Sequence, residues 1–203
     1  ALPARANDST AELATGGLVF TRSDAIEMVS EDLFVSAKEV RVRYRFQNKS
    51  AQPVTTLVAF PMPDITIEQD TNVAIPVEDP ANVLGFKTEV DGQPVEMQVE
   101  QKAIAQGVDQ TALLKRLGIP LAPHVPATNQ ALDRLPQSQW DELVQLGLAE
   151  ITEYSVGPEG MKKHLEARWT LKTTFFWRQT FPAGRELAID HSYQPSVGSS
   201  VMT

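Results

Sequence analysis

Residues 39–63 read EVRVRYRFQNKSAQPVTTLVAFPMP, and this stretch decides the fold. From Val40 every second residue is apolar or aromatic (Val40, Val42, Tyr44, Phe46), while Arg41, Arg43, Arg45 and Gln47 fall between them. A strand sends successive side chains to opposite faces, so the pattern gives one dry face and one face of arginines. A helix would scatter those arginines around its axis. Burying the four apolar side chains contributes ~1.5–3 kcal/mol each, enough to hold the register against a one-residue slip. Asn48 to Gln52 is polar and turns the chain, and Pro53 sits at a strand start, where its missing donor is tolerated. Val54 to Phe60 is expected as the partner strand. Phe60-Pro61-Met62-Pro63 ends it, because neither proline can donate to a ladder.

Outward from this pair, the same alternation recurs. Strands are expected at about 18–21, 26–30, 33–36, 39–48, 53–60, 84–90, 93–100, 165–179 and 186–193. Glu31-Asp32 divides the second from the third as a solvated turn, since neighbouring carboxylates on a strand would face opposite ways. Ile65 to Pro80 is acidic and proline-interrupted, a surface excursion. Asp91-Gly92 is the favoured pair for a two-residue hairpin turn. Counting outward, Thr88 faces Val95, Phe86 faces Met97 and Leu84 faces Val99, so the apolar residues of both arms share a face. Pro94 faces Glu89 and implies an edge strand or bulge. Leu165, Ala167, Trp169, Leu171, Thr173, Phe175 and Trp177 alternate along one long strand. Leu187, Ile189, His191 and Tyr193 alternate on its return, which leaves an uncovered edge close to the last residue.

The period changes between them, and helices are expected only within 103–148. Asp109 can cap a helix through Leu117, Thr128 a second before Pro136, and Ser138-Gln139-Trp140-Asp141 reads as a variant capping box for a third. Each is too short to be stable alone. The fold class is therefore mainly β, an antiparallel β-sandwich over 7–203 with a small helical insertion at 103–148, lacking the C-terminal strands of a longer protein. Residues 1–6 are either a flexible terminus or, with Ala4-Arg5-Ala6 as an A-x-A site, the remnant of a signal peptide.

Composition removes several function classes. The net charge of −8 argues against a nucleic-acid surface, and the absence of cysteine removes thiol catalysis and any Cys-ligated metal. No apolar run reaches the ~20 residues of a membrane-spanning helix. The three histidines are not spaced as ligands, so no metal, no cofactor and no catalytic residue is assigned. His124 and His164 read as solvated. His191 falls on a face that should be covered, where it is a hydrogen-bonded core residue or, with Tyr193, the acid–base pair of a hydrolase. Trp169 and Trp177 are core residues or, if exposed, the stacking platform of a carbohydrate-binding module. Within the insertion, Leu113, Leu117, Trp140 and Leu143 are read as a docking face for a protein partner or a second copy. The competing reading is a lid that buries them with Leu114 and Val144 as part of one core.

Two resemblances attach to quoted residues. Asn7-Asp-Ser-Thr-Ala, Gly16-Gly17-Leu18, Ser30-Glu-Asp-Leu-Phe34, Val58-Ala-Phe-Pro-Met-Pro63, Phe181-Pro-Ala-Gly-Arg185 and His191-Ser-Tyr-Gln-Pro195 resemble a family of bacterial exported proteins known only as a domain of unknown function. That resemblance implies a mainly β fold and a periplasmic or extracellular location, and it supplies no catalytic residues. Asn48-Lys-Ser50, Phe60–Pro63, Gly85-Phe86, Asp91-Gly92 and Glu100-Gln-Lys102-Ala-Ile-Ala105 are similar to the N-terminal domain of inter-alpha-trypsin inhibitor heavy chains, a hint about fold alone. The expected function is that of a non-enzymatic, exported cell-envelope protein acting through protein–protein interaction or self-association. The alternatives are the hydrolase of His191 and Tyr193 and the carbohydrate module of Trp169 and Trp177.

Overall fold

The structure, a computed structural model, describes residues 9–14, 17–21, 24–67, 72–155, 157, 160–195 and 197–199; for 9–14, 17–21, 72–74 and 197–199 it describes the backbone. In chain order the strands and helices are β1 (Ser9–Ala14), β2 (Gly17–Thr21), β3 (Ile26–Val35), β4 (Val40–Asn48), β5 (Val54–Pro61), β6 (Asn72–Ala74), β7 (Lys87–Val90), β8 (Gln93–Pro94), β9 (Gln98–Ala105), β10 (Val108–Asp109), α1 (Thr111–Arg116), α2 (Pro126–Asp133), α3 (Gln137–Gln145), β11 (Ala149–Ser155), β12 (Met161–Ala167), β13 (Thr170–Phe181), β14 (Glu186–Tyr193) and β15 (Val197–Ser199). They divide into two compact units, one drawn from Ala1–Met62, Ala74–Glu100 and Thr174–Gly198, the other from Pro63–Val73, Gln101–Thr173 and Ser199–Thr203. The signal-peptide reading of residues 1–6 lies outside the described residues.

The first unit is an antiparallel sandwich. One layer has the order β3-β4-β14-β7-β8, and in the other β5 lies between β13 and β1, with β2 beyond. Alternation on β4 works as the sequence implies, with Val40, Val42, Tyr44 and Phe46 buried and Arg41, Arg43 and Arg45 exposed. Their core partners are Leu187 and Ile189 from β14 and Val58, Trp177 and Phe181 from the facing layer.

The expected pairing of 39–48 with 53–60 is overturned: β4 pairs with β3 and β14, and β5 with β1 and β13. β4 alternates over one core, whereas β5 buries Leu57, Val58, Ala59 and Phe60 in succession, Val58 in the core shared with β4 and Leu57 and Ala59 packed with Phe176. An apolar run of that kind does not by itself reveal its partner strand. Asn48, 1% exposed, shapes the crossing. Its amide donates to the carbonyls of Gln52 (2.8 Å) and Phe181 (2.9 Å), and its Oδ1 accepts from the Ser50 amide (2.9 Å) and hydroxyl (2.8 Å). A buried polar side chain persists only when satisfied in this way.

Four further corrections concern this unit. Residues 26–35 form one strand, and the Glu31-Asp32 turn does not exist: Glu31 stands opposite Tyr44 and Asp32 opposite Arg43. The irregularity lies earlier, as a bulge between Met28 and Ser30. The Asp91-Gly92 turn forms with both residues at positive φ (48° and 76°), as a type I′ turn requires, but the ladder stops at Glu89 opposite Pro94. Beyond it one bond remains, from the Val95 amide to the Thr88 carbonyl (3.1 Å). Pro94 has no donor, Phe86 is tied to the Asn82 side chain instead, and 98–105 belongs to another sheet, so the Phe86–Met97 and Leu84–Val99 pairs are absent. β14 is not an edge, since it lies between β4 and β7, and β15 follows it. β1, which lies outside the strands expected from alternation, pairs with β2 and β5.

In the second unit β9, β10 and the start of β13 run side by side, and β11 and β12 form a separate ladder. The region 103–148 is thus not wholly helical, because 103–105 and 108–109 are strand. Asp109 accepts the Thr111 amide (2.9 Å), but Gln110 holds the cap position of α1. Thr128 lies inside α2 with its hydroxyl on the Ala122 carbonyl (2.6 Å), and Pro136 precedes α3 without a side-chain cap. The strand expected at 165–179 breaks at Arg168 and Trp169. There the Arg168 amide binds the Leu148 carbonyl (2.9 Å) and the Trp169 indole reaches the Leu121 carbonyl (2.7 Å). Alternation carries through the break because Leu165, Ala167, Trp169 and Leu171 are all buried. In the acidic segment Ile65 is 7% exposed and exchanges backbone bonds with Leu171, so it is not a surface excursion there.

Candidate functional site

The outer face of the five-stranded layer is an ordered lattice of charge. Across β3, β4, β14 and β7 one row reads Phe34, Arg41, Ser192, Lys87, and the next reads Asp32, Arg43, Asp190, Glu89. Arg43 donates through Nε to Asp190, Arg45 pairs with Glu186 at 3.3 Å, and Arg41 pairs with Glu39 at 3.2 Å. The Arg41 guanidinium also lies 4.7 Å from the centroid of Phe34. The hydrogen bond to Asp190 raises the Arg43 pKa above its ordinary value, with the carboxylate's charge acting the same way. All of these residues except Glu186 line a trough of about 750 Å³. The arginine side chains are about three-fifths exposed, so solvent screens these ion pairs and they add little to stability. What the lattice supplies is pattern, with paired opposite charges that a partner can match in register.

The adjoining edge is apolar. β3 is the terminal strand of its layer, and among the described residues no strand pairs with its other side. It exposes Val29 (47%), Leu33 (56%), Phe34 (46%) and Val35 (65%). Leu33 and Val35 stand opposite Val42 and Val40 on the inward side, and Phe34 stands opposite Arg41 on the outward side. Apolar side chains therefore show on both faces of one open edge, the situation that sheet proteins ordinarily suppress. The bulge at Val29 and the acids Glu27, Glu31 and Asp32 blunt the first half of the strand and leave Leu33 to Val35 bare.

The sequence-derived candidates fall elsewhere. His191 is 2% exposed, and its Nδ1 shares a hydrogen bond with the Thr88 hydroxyl (2.8 Å). The rings of Phe60, Phe86, Tyr44 and Trp177 surround it at 4.7, 5.2, 5.7 and 5.9 Å. That is the geometry of a hydrogen-bonded core histidine, on a strand whose outer face borders the trough. Tyr193, two residues on, is partly buried, and burial pushes its phenol pKa up. Trp169 and Trp177 are 0% and 5% exposed, so the stacking platform for sugar does not form. Leu113 and Leu143 are buried and Leu117 and Trp140 pack on the same cluster, with the Trp140 indole donating to the Leu132 carbonyl (3.1 Å). Leu113 and Leu143 are thus interior to the second unit, while Leu117 and Trp140 are partly exposed at its margin, the packing expected of a lid. His164 is not solvated; it meets Thr152, Glu166 (3.3 Å) and the ring of Tyr154. His124 is half-buried, and burial lowers its pKa. Among the described residues no group of His, Asp and Glu is arranged to hold a metal ion, and no helix is long and apolar enough to cross a membrane.

The open edge is hidden in the sequence because Glu31-Asp32 has the composition of a turn and splits the strand's apolar pattern. The available signal was Leu33-Phe34-Val35, an apolar run without alternation beside a strand that alternates.

The family described as "Domain of unknown function (DUF4424)" matches residues 6–203, and the chain belongs to it. No curated protein matches. The crystal structure titled "putative nutrient binding protein" from Legionella pneumophila aligns with 96% of this chain and 43% of its own, at 18% identity and a TM-score of 0.46. The chain thus spans less than half the length of that structure.

Proposed function

We propose that this chain is an exported protein of the bacterial cell envelope that works by binding another protein through the β3 edge of its first unit, rather than by catalysis. The observation that carries the proposal is the bare run Leu33-Phe34-Val35 on an open sheet edge, beside a lattice of ordered charge. These side chains are already about half covered, so burying the remainder would contribute roughly half of the ~1.5–3 kcal/mol of a full transfer each, and an incoming strand would also satisfy the backbone groups of the edge. Two further points support a binding role over hydrolysis: the ring nitrogen of His191 is engaged by Thr88, and aromatic rings pack around it. Export is supported by Ala4-Arg5-Ala6, which fits a signal-peptidase site.

The test places a photo-cross-linking residue at Val35, with Val144 of α3 as an exposed apolar control in the other unit. In native cells a discrete adduct should form from position 35 and not from 144, in the envelope fraction, on protein whose N-terminus reads Asn-Asp-Ser-Thr. No adduct, or equal labelling at both positions, refutes the contact surface. A cytosolic protein retaining residues 1–6 refutes export.

A further inference from the structure

We infer that the segment docking on β3 is an extended stretch of a partner protein in which basic and apolar residues alternate, added as a further strand. This rests on the β3 edge being a contact surface and names what that surface takes.

The argument begins with the neighbour β3 already has. Along the regular part of the ladder, Ser30 to Val35, β4 sets Arg43 opposite Asp32 and Arg41 opposite Phe34 on the outer face. On the inner face it sets Val42 opposite Leu33 and Val40 opposite Val35. A side chain on β3 stands between two strand positions, so a strand arriving at the open edge meets the same groups from the other side. Asp32 favours a cation through its charge, and the face of Phe34 favours one through its quadrupole, as Arg41 shows at 4.7 Å. Leu33 and Val35 favour aliphatic neighbours that extend the inner face. The preferred newcomer therefore repeats the pattern of β4, with apolar residues inward and basic residues outward.

Charge also selects against a second copy in this place. β3 reads IEMVSEDLFV, with Glu27, Glu31 and Asp32 and no basic residue. Pairing β3 with another β3 brings carboxylates together wherever the acidic stretch overlaps, and like charges opposite one another destabilise a sheet. The bulge between Met28 and Ser30 limits regular pairing to the six positions from Ser30 to Val35, so a six-residue segment fills the edge.

The probe is a capped synthetic peptide with the sequence of residues 40–45, Val-Arg-Val-Arg-Tyr-Arg, titrated to millimolar into the full isotope-labelled chain. Saturable amide shifts should centre on 30–35. A version with glutamate at the three arginine positions should bind about tenfold more weakly or worse, in line with the cost of like-charge juxtaposition. Methylating alternate peptide nitrogens should abolish binding if the contact is a ladder. Leu33→Thr with Val35→Thr keeps strand-forming residues at exposed positions and should weaken the peptide about tenfold, the loss of one to two apolar contacts; their unchanged spectrum elsewhere confirms folding. Equal binding of the glutamate peptide, shifts centred away from β3, no binding at millimolar, or indifference to the paired threonines each overturns the inference. So does a dimer in sedimentation that the paired threonines dissolve, which would make the occupant a second copy. An adduct from position 35 in cells, alongside failure of the peptide, leaves the contact surface standing and removes only this account of its partner.

Discussion

In the first unit Tyr44, Phe60, Phe86, Phe175 and Trp177 gather within a few ångströms of one another or of a buried histidine. In the second, Leu113, Leu114, Leu132, Leu143, Leu148 and Leu165 surround Trp169. The difference lies in what holds each interior together. Tyr44, Phe60, Phe175 and Trp177 arrive on long strands, each with a cross-strand partner, and Phe86 just before β7 is held by the Asn82 side chain, so the backbone places the rings before packing refines them. The second unit draws on helices of six, eight and nine residues, none with a side-chain N-cap bond. Helices that short do not persist alone, so tertiary bonds must hold them. Those bonds are few and specific: Trp169 to the Leu121 carbonyl, Trp140 to the Leu132 carbonyl and Thr128 to the Ala122 carbonyl.

The largest effect should therefore come from Trp169→Ala. It removes a fully buried indole and orphans the Leu121 carbonyl, a loss of about 3–5 kcal/mol. Native-state hydrogen exchange should show α1 to α3 losing protection while the β4 and β14 amides keep theirs. If both sets fall together, the contrast between the two interiors is wrong.

Asn48→Ala should follow, at about 2–4 kcal/mol, because it removes the acceptor of the Ser50 amide and the side-chain donor to the Phe181 carbonyl, while the Gln52 carbonyl keeps only the Ser50 hydroxyl. Denaturant midpoints read by Trp177 fluorescence, in a background with Trp140 and Trp169 changed to Phe, would report on the first unit. A change under ~0.5 kcal/mol would mean that the arch is held by packing instead.

A pH scan sharpens the comparison from the other side. Burial lowers the His124 pKa from its ordinary 6.5, so the unfolded chain takes the proton more readily than the folded one. Stability tied to this group is complete above pH ~6.5 and falls as the pH drops below it. Thermal melts of the second unit between pH 7 and pH 5 should show that slope, and His124→Gln should flatten it. An unchanged slope would assign the loss to other groups. The smallest effect is expected at the lattice: Arg43→Met, despite removing the Asp190 partner, should leave the chemical-melt midpoint close to that of the parent, since the side chain is 62% exposed. A larger loss in chemical melts would mean that the ion pairs hold the layer together as well as patterning its surface.

Much of the first unit was legible because β4 and β14 have one buried and one solvated face, which a period of two reports directly. What alternation did not carry was which strand pairs with which: Val54 to Phe60 reads identically as a hairpin partner and as a strand of the opposite sheet. The side chain that decides the matter, Asn48, looks in sequence like any turn residue, since its bonds to Gln52 and Phe181 are visible only once the chain has folded. In the second unit the buried run Leu165, Ala167, Trp169, Leu171 keeps its period across a break, so one strand was read where two exist. The helices could be placed by Gly118 and Gly147, both at positive φ, yet the caps expected at Asp109, Thr128 and Ser138 were not used. Packing outweighed capping there. The β3 edge escaped notice for a related reason: adjacent carboxylates suit a turn locally, but cross-strand Arg43 draws Asp32 into a ladder.

The arrangement of Asn48 has a practical consequence for anyone producing this protein. Asn48-Lys49-Ser50 is an acceptor tripeptide for N-linked glycan, and in the folded chain its amide nitrogen is buried and already donates twice. Passage through a eukaryotic secretory pathway would expose that nitrogen to glycosylation only while the chain is still emerging. A sugar attached then would leave that nitrogen a single hydrogen, so at most one of the two bonds could survive, and would wedge the arch between the sheets. Folding and modification would therefore compete for one atom. The well-folded material recovered from such a host should be the fraction that escaped the glycan, a split that intact-mass spectrometry of soluble and insoluble protein would read directly.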